Sequence, residues 1–221
     1  MSLARFRCLL GLVLVLCLAM PPAAQADAPA PLGGGSVLQV GAASRCTAGF
    51  AAVAGNVGYL IASAACGRPG ETVSSAGRVV GVVAAAQFPP SGAIVIRVTN
   101  TAEWRLVGSI PPVDSRVTIT GATEAAVGAS VCKYGLTSGW RCGVILAKNQ
   151  TVTFPGGTLT GLTRTSVCAE PGDAGGPFVS GTQAQGVLVG GSGTCATGGT
   201  SYFLPVNRVL SAYRLSILTG A

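Results

Sequence analysis

Residues 168–178, Cys-Ala-Glu-Pro-Gly-Asp-Ala-Gly-Gly-Pro-Phe, gather one aspartate, two alanines and three glycines into a single turn. A turn of this composition presents backbone amides, and amides can hold a developing oxyanion without help from any side chain. An attacking group is harder to find. A hydroxyl is a poor nucleophile without an adjacent base, and the 221-residue chain contains no histidine. No Ser-His, Cys-His or Asp-His pair can therefore form. A Ser-Lys dyad would need Lys133 or Lys148, and neither follows a serine in a recognisable motif. Metal chemistry is no better supplied, because the chain lacks both histidine and a C-x-x-C pair. No metal and no cofactor are expected.

The elements that would position this turn are strands. From Ser36 onward, short runs rich in Val, Ile and Thr alternate with Gly, Pro, Asn and Ser at intervals near ten residues, the pattern of a sandwich or barrel. Candidate strands include VGYLIASA, RVVGVVAAAQ, AIVIRVT, RVTIT, GVILAKNQTVTF, GLTRTSV, AQGVLVG and TSYFLPV. Their β-branched content suits a pleated, half-buried surface. Val206–Leu215 differs: Val206, Val209, Leu210 and Tyr213 recur at helical spacing just after Pro205, which predicts a short C-terminal amphipathic helix. The prolines of Ile110–Ser115 interrupt both ladder and helix, so 111–115 reads as a linker. It divides 36–110 from 116–205, two halves of similar β character, with 206–221 as helix and tail.

The N-terminus carries Arg5 and Arg7, an uncharged run Cys8–Met20, Pro21-Pro22 and then Ala24-Gln25-Ala26. This is the layout of a secretory signal peptide over 1–26. The run is short of the roughly 20 apolar residues a spanning helix needs. Residues 27–35, rich in Pro and Gly, are expected to be a flexible leader. Cys46, Cys66, Cys132, Cys142, Cys168 and Cys195 remain after cleavage, and an even count in an exported chain predicts disulfides of undetermined pairing. The formal net charge is +7, but the basic residues stand singly, so no nucleic-acid surface is indicated. The expected product is a secreted monomer with no membrane attachment after cleavage.

The segments SVCKYGLTSGWRCG, GLTRTSVCAEPGDAGGPFVSGTQAQG, GGSGTC and PVNRVLSAY, together with SRCTAGF, GYLIASAAC and QFPPSGAIVIRVTN, resemble the secreted bacterial chymotrypsin-like proteases of the streptogrisin and alpha-lytic type. The resemblance covers nearly all of the chain after the leader. It implies an all-β fold of two six-stranded antiparallel barrels with the active site between them. It also implies disulfides Cys46–Cys66, Cys132–Cys142 and Cys168–Cys195. In that family a serine is activated by a histidine that an aspartate orients. The matching positions here are Ala174, Ala65 and Gly92, and Val189 stands where a supporting serine is usual.

Three further features follow from the resemblance. The backbone of Gly172, Asp173 and Ala174 would form an oxyanion hole. Asp173 would pair with Lys133, where the family has an arginine. A bound peptide would add as a strand along Val189-Gly190-Gly191, with Glu170 beside the primary pocket. With all triad positions replaced, the expectation is a non-catalytic homologue, not an enzyme, that binds a peptide or protein ligand or acts as a scaffold. The alternative is a genuine trypsin-like serine endopeptidase in an inactivated form.

Overall fold

A computed structural model describes residues 28–42, 44–87, 92–110 and 117–220. The proposed signal peptide and the 111–115 linker lie outside these residues. The expected all-β class holds, with one short helix near the C-terminus. Residues 27–35 are not simply a flexible leader, however. Strand β1 (Ala30–Leu32) forms within them and pairs in parallel with β9 (Trp104–Leu106). Leu32 is fully buried there, so burial of one apolar side chain overrides the Pro/Gly composition.

The N-terminal half contains β2 (Val37–Val40), β3 (Ser44–Thr47), β4 (Phe50–Ala54), β5 (Val57–Ser63), β6 (Thr72–Ser75), β7 (Arg78–Gln87) and β8 (Ala93–Val98). Short strands β10 (Ser109–Ile110) and β11 (Val117–Thr118) pair across the linker region. The C-terminal half contains β12 (Ser130–Gly135), β13 (Gly139–Phe154), β14 (Gly157–Thr165), β15 (Pro177–Ser180), β16 (Gln183–Thr194) and β17 (Gly198–Pro205). Helix α1 (Val206–Tyr213) and β18 (Ser216–Ile217) complete the chain.

These six C-terminal strands close into a barrel in the order β12-β13-β14-β17-β16-β15. The N-terminal half departs from a simple six-stranded barrel. Its ladder is an eight-stranded sheet, β18-β4-β5-β8-β7-β6-β2-β3, because the C-terminal tail returns to pair with β4. Helix α1 ends at Tyr213, two residues short of the expected Leu215: Arg214 adopts φ 53° and its amide turns back to Leu210 and Ser211.

Each half has an apolar interior, and a third cluster joins them. Leu38, Leu60, Ile94 and Ile96 fill the N-terminal sheet. Phe178 and Phe203, with ring centroids 4.8 Å apart, pack with Ile145 and Leu188 inside the barrel. Phe50 and Ile61 from the first half meet Val187, Leu204 and Val206 from the second in one shared cluster. Burying each such side chain is worth about 1.5–3 kcal/mol. The two halves are thereby held as one body, with a fixed groove between them.

Candidate active site

Three polypeptide segments meet at the groove. The first is the turn after β5, where Ser63 caps the 3-10 turn Ala64–Cys66 by accepting a hydrogen bond from the Ala65 amide at 3.3 Å. The second is the residue before β8: the Gly92 carbonyl accepts from the Ala64 amide at 2.9 Å. The third is the turn 168–176 that precedes β15. Ala65, Gly92 and Val189 line a single cavity of about 790 Å³, together with Ser44, Arg68 and Phe154. Ala174 packs against the N-terminal cluster that also contains Ala64 and Cys66. Gly92 has φ 72°, and a Cβ there would sit 2.8 Å from Leu159 Cδ1 and 3.6 Å from Val189 Cγ1. An aspartate at this position would therefore need Leu159 to shift slightly, in a backbone conformation that Asp tolerates better than most residues.

The turn 168–176 is fixed from several sides. Asp173 and Lys133 form an ion pair of 2.7 Å, and both side chains are fully buried. Lys133 also donates to Ser138 Oγ at 2.8 Å. The Asp173 carboxylate accepts three further hydrogen bonds, from the amides of Thr137 at 2.9 Å, Ser138 at 3.0 Å and Glu170 at 3.0 Å. Burial favours the neutral acid, but the hydrogen bonds from Lys133, Ser138 and the Glu170 amide outweigh it and hold the Asp173 carboxyl at about 2. Burial pushes the Lys133 ammonium down from its ordinary value, against the hydrogen bond and charge of Asp173.

Thr47 ties the turn to the other half. Its Oγ1 donates to the Gly172 carbonyl at 3.0 Å and accepts from the Leu136 amide at 3.1 Å, while its own amide donates to the Ala174 carbonyl at 3.0 Å. The sequence gives no direct sign of this role, since an isolated Thr in a strand reads as β-propensity. Gly175 has φ 86°, and a Cβ there would collide with the Thr47 carbonyl. Only glycine lets the two halves approach so closely.

The amides of this turn are unequally engaged. Asp173 N donates to the Glu170 carbonyl at 3.0 Å, Gly175 N to Leu188 at 2.9 Å and Gly176 N to Asp173 at 2.9 Å. Among the described residues the amides of Gly172 and Ala174 make no hydrogen bond. Asp173 was expected as a third member of the backbone cradle, but its amide is already committed. The available donors are Gly172 N and Ala174 N, spaced around it.

Beside this cradle runs the open edge of β16. Its residues up to Val187 pair with β15, whereas Gly190–Thr194 pair only with β17 among the described residues. Val189 falls at the register shift between Leu188 and Gly190. Gly190 leaves room for the Phe154 ring, with which any Cβ would collide. Phe154 was not singled out in the sequence, because this last residue of the sixteen-residue β13 reaches the cavity only through the tertiary fold. Glu170, Gly190 and Gly191 do not line the 790 Å³ cavity. Glu170 instead accepts the Cys195 amide at 2.7 Å, bracing the Cys168–Cys195 crosslink. All three implied disulfides are formed, Cys46–Cys66, Cys132–Cys142 and Cys168–Cys195. They indicate an oxidising compartment.

With this geometry in place, comparison with known proteins identifies the family: residues 70–212 match the model described as Trypsin. The chain belongs to the trypsin family of serine proteases. It is 43% identical over 214 residues to Streptogrisin-C of Streptomyces griseus, covering 95% of this chain and 45% of that protein. It is 35% identical to Streptogrisin-A of the same organism, covering 85% of this chain and 61% of that protein. The chain thus spans about half the length of these curated relatives. Among solved structures, Thermobifida fusca Protease A matches with TM-score 0.80 and 42% identity, covering 86% of this chain and 100% of the other. Cellulomonas bogoriensis chymotrypsin matches with TM-score 0.78 and 43% identity, covering 86% and 99%.

These relatives overturn the expectation of a binding or scaffold protein that is not an enzyme. Solved structures that cover 86% of this chain at 42–43% identity carry the names protease and chymotrypsin. Peptide hydrolysis is the chemistry the site has to be measured against.

Proposed function

We propose that the chain is a trypsin-like serine endopeptidase of the streptogrisin type in an inactivated form. The observation that carries this reading is the pair of uncommitted amides at Gly172 and Ala174 beside the open edge of β16. A peptide added along Gly190–Gly191 by main-chain hydrogen bonds brings a carbonyl carbon to residue 174. The two amides would then stabilise negative charge on its oxygen as the tetrahedral centre forms. The missing parts are side chains alone: a hydroxyl at 174, an imidazole at 65 and a carboxylate at 92. The chain would reach its compartment by cleavage of a signal peptide over 1–26 and act as a monomer.

The test is restoration. The variants Ala174→Ser alone and Ala65→His/Gly92→Asp/Ala174→Ser together are compared with the chain itself on casein and on chromogenic peptides. The full triad acts as a unit worth about 10⁶ in kcat, so turnover should appear in the triple variant and not in the single one. A triple variant that folds with unchanged circular dichroism and hydrolyses nothing would refute the reading.

A further inference from the structure

A second cavity, of about 360 Å³, lies where β13, β14 and the start of α1 meet, and it shares no lining residue with the groove. An irregularity in β13 shapes it. The ladder with β14 shifts register between Ala147 and Gln150, and Asn149 takes φ 56°. Consecutive residues of an unbroken strand face opposite sides of the sheet, yet Lys148 and Asn149 both line this cavity. The bulge turns the two toward the same space.

Arg208, in the first turn of α1, brings a second cation to the lining. Its Nη1 donates to the Thr160 carbonyl and lies over Gly161, where any Cβ would collide with it. Among the described residues the rest of the guanidinium makes no hydrogen bond and no ion pair. Helix α1 begins after Pro205 with no side-chain cap and no acidic residue in its first turn, and Pro205 also lines the cavity. The positive end of the helix is thus uncompensated beside it. Thr163 adds an independent sign. It is 2% exposed, lines this cavity and a smaller adjoining one, and its hydroxyl makes no hydrogen bond among the described residues. Buried hydroxyls are normally paired.

Glu124 is the carboxylate of this lining, and Lys148 holds it at 3.1 Å. Two cations against one carboxylate leave a single positive charge in excess. We infer that the cavity binds a singly charged tetrahedral oxyanion, the phosphate diester or sulfate ester group of a small molecule or of a headgroup, through Arg208, Lys148 and Thr163. Donors on three separate elements, a guanidinium, an ammonium with protons to spare and an unpaired hydroxyl, suit several oxygens of one group. Glu124 sets the charge, because a doubly charged phosphate would meet its carboxylate with no cation left to offset it. The assignment does not rest on the endopeptidase reading.

Amide-detected NMR titration of the protein tests this. Dimethyl phosphate and methyl sulfate should shift the amides of Lys148, Asn149, Thr163 and Arg208 to saturation, whereas sodium chloride at equal ionic strength should not. Inorganic phosphate at about pH 8, where it is doubly charged, should bind about three-fold weaker or worse. Arg208 is exposed, so Arg208→Gln should leave the remaining spectrum in place and weaken the diester about ten-fold. Glu124→Gln should reverse the preference, with inorganic phosphate overtaking the diester. Glycerophosphoglycerol in solution and phosphatidylglycerol vesicles separate the two sources. Sedimentation with the vesicles that Arg208→Gln abolishes assigns a headgroup, and binding of the soluble ester alone assigns a small molecule. Shifts that never saturate, shifts that sodium chloride reproduces, or parent-like affinity in Arg208→Gln would overturn the inference. So would a parent protein that prefers inorganic phosphate to the diester.

Discussion

Lys133→Met is the sharpest perturbation the buried network offers. It removes the cation that pairs with a fully buried carboxylate, leaving Asp173 with the amides of Thr137, Ser138 and Glu170. Breaking a buried pair by deleting one partner costs about 3–5 kcal/mol. The three amides at 2.9–3.0 Å still compensate part of the charge, so the lower end, about 3 kcal/mol, is expected. For a domain of this size that is a drop in Tm of roughly 6–12 °C. Urea unfolding at neutral pH, followed by tryptophan fluorescence, reads it as a fall in midpoint at constant slope. Lys133→Met/Asp173→Leu should recover most of the loss, because no uncompensated charge remains. A Lys133→Met midpoint within about 1 kcal/mol of the parent would refute the reasoning, since the pair would then contribute only what a solvated one does.

Asp173 also fixes the acid limit of stability. Its folded pKa of about 2 lies below the ordinary 3.8, so its contribution is present above about pH 4 and lost as pH falls through about 2; acid unfolding of Asp173→Asn should lack that loss. Gly175→Ala should destabilise by more than about 2 kcal/mol, because it combines φ 86° with a collision at the Thr47 carbonyl, and thermal melting will show it. Replacing Cys168 and Cys195 by Ala opens a loop with sequence separation 27 and should cost roughly 3 kcal/mol, measured against the parent under non-reducing conditions.

The sequence made the outer frame legible where periodicity and packing agree. The runs at 57–64, 78–87, 93–99 and 143–154 fall within or along β5, β7, β8 and β13; the first three bury several β-branched or aliphatic side chains, whereas β13 buries Ile145 alone and is legible from its Val, Ile and Thr content. Strands such as β1, β9 and β18 were not legible. They contain two or three residues each and exist only because distant segments supply their partners, as when β18 pairs with β4. The same distinction runs through the site. The turn 172–177, its ion pair and the three crosslinks follow from residue types and family pattern. The division of labour among its amides does not, because hydrogen bonding by Asp173 N and not by its neighbours is decided by the tertiary path of Glu170. Thr47 and Phe154 belong to this second kind, being placed by chain geometry that no local motif encodes.

The backbone of the site is over-determined, and that bears on what restoration requires. Gly172 and Ala174 are held by Thr47 from the first half, by Asp173 through Lys133 and two amides of the 137–138 turn, and by Glu170 through the Cys195 amide. None of these contacts involves a side chain at 65, 92 or 174. The conformation of the turn is therefore independent of the side chains at these three positions, and on the proposed reading a hydroxyl placed at 174 would meet an oxyanion site already formed. Ala65, the proposed base position, is likewise held by the Cys46–Cys66 crosslink and the Ser63 cap. Gly92 is the exception, because a carboxylate there must displace Leu159 at 2.8 Å in a left-handed backbone. Ala65→His/Ala174→Ser should accordingly fold as the parent does, while the step that adds Gly92→Asp carries the stability cost of restoration.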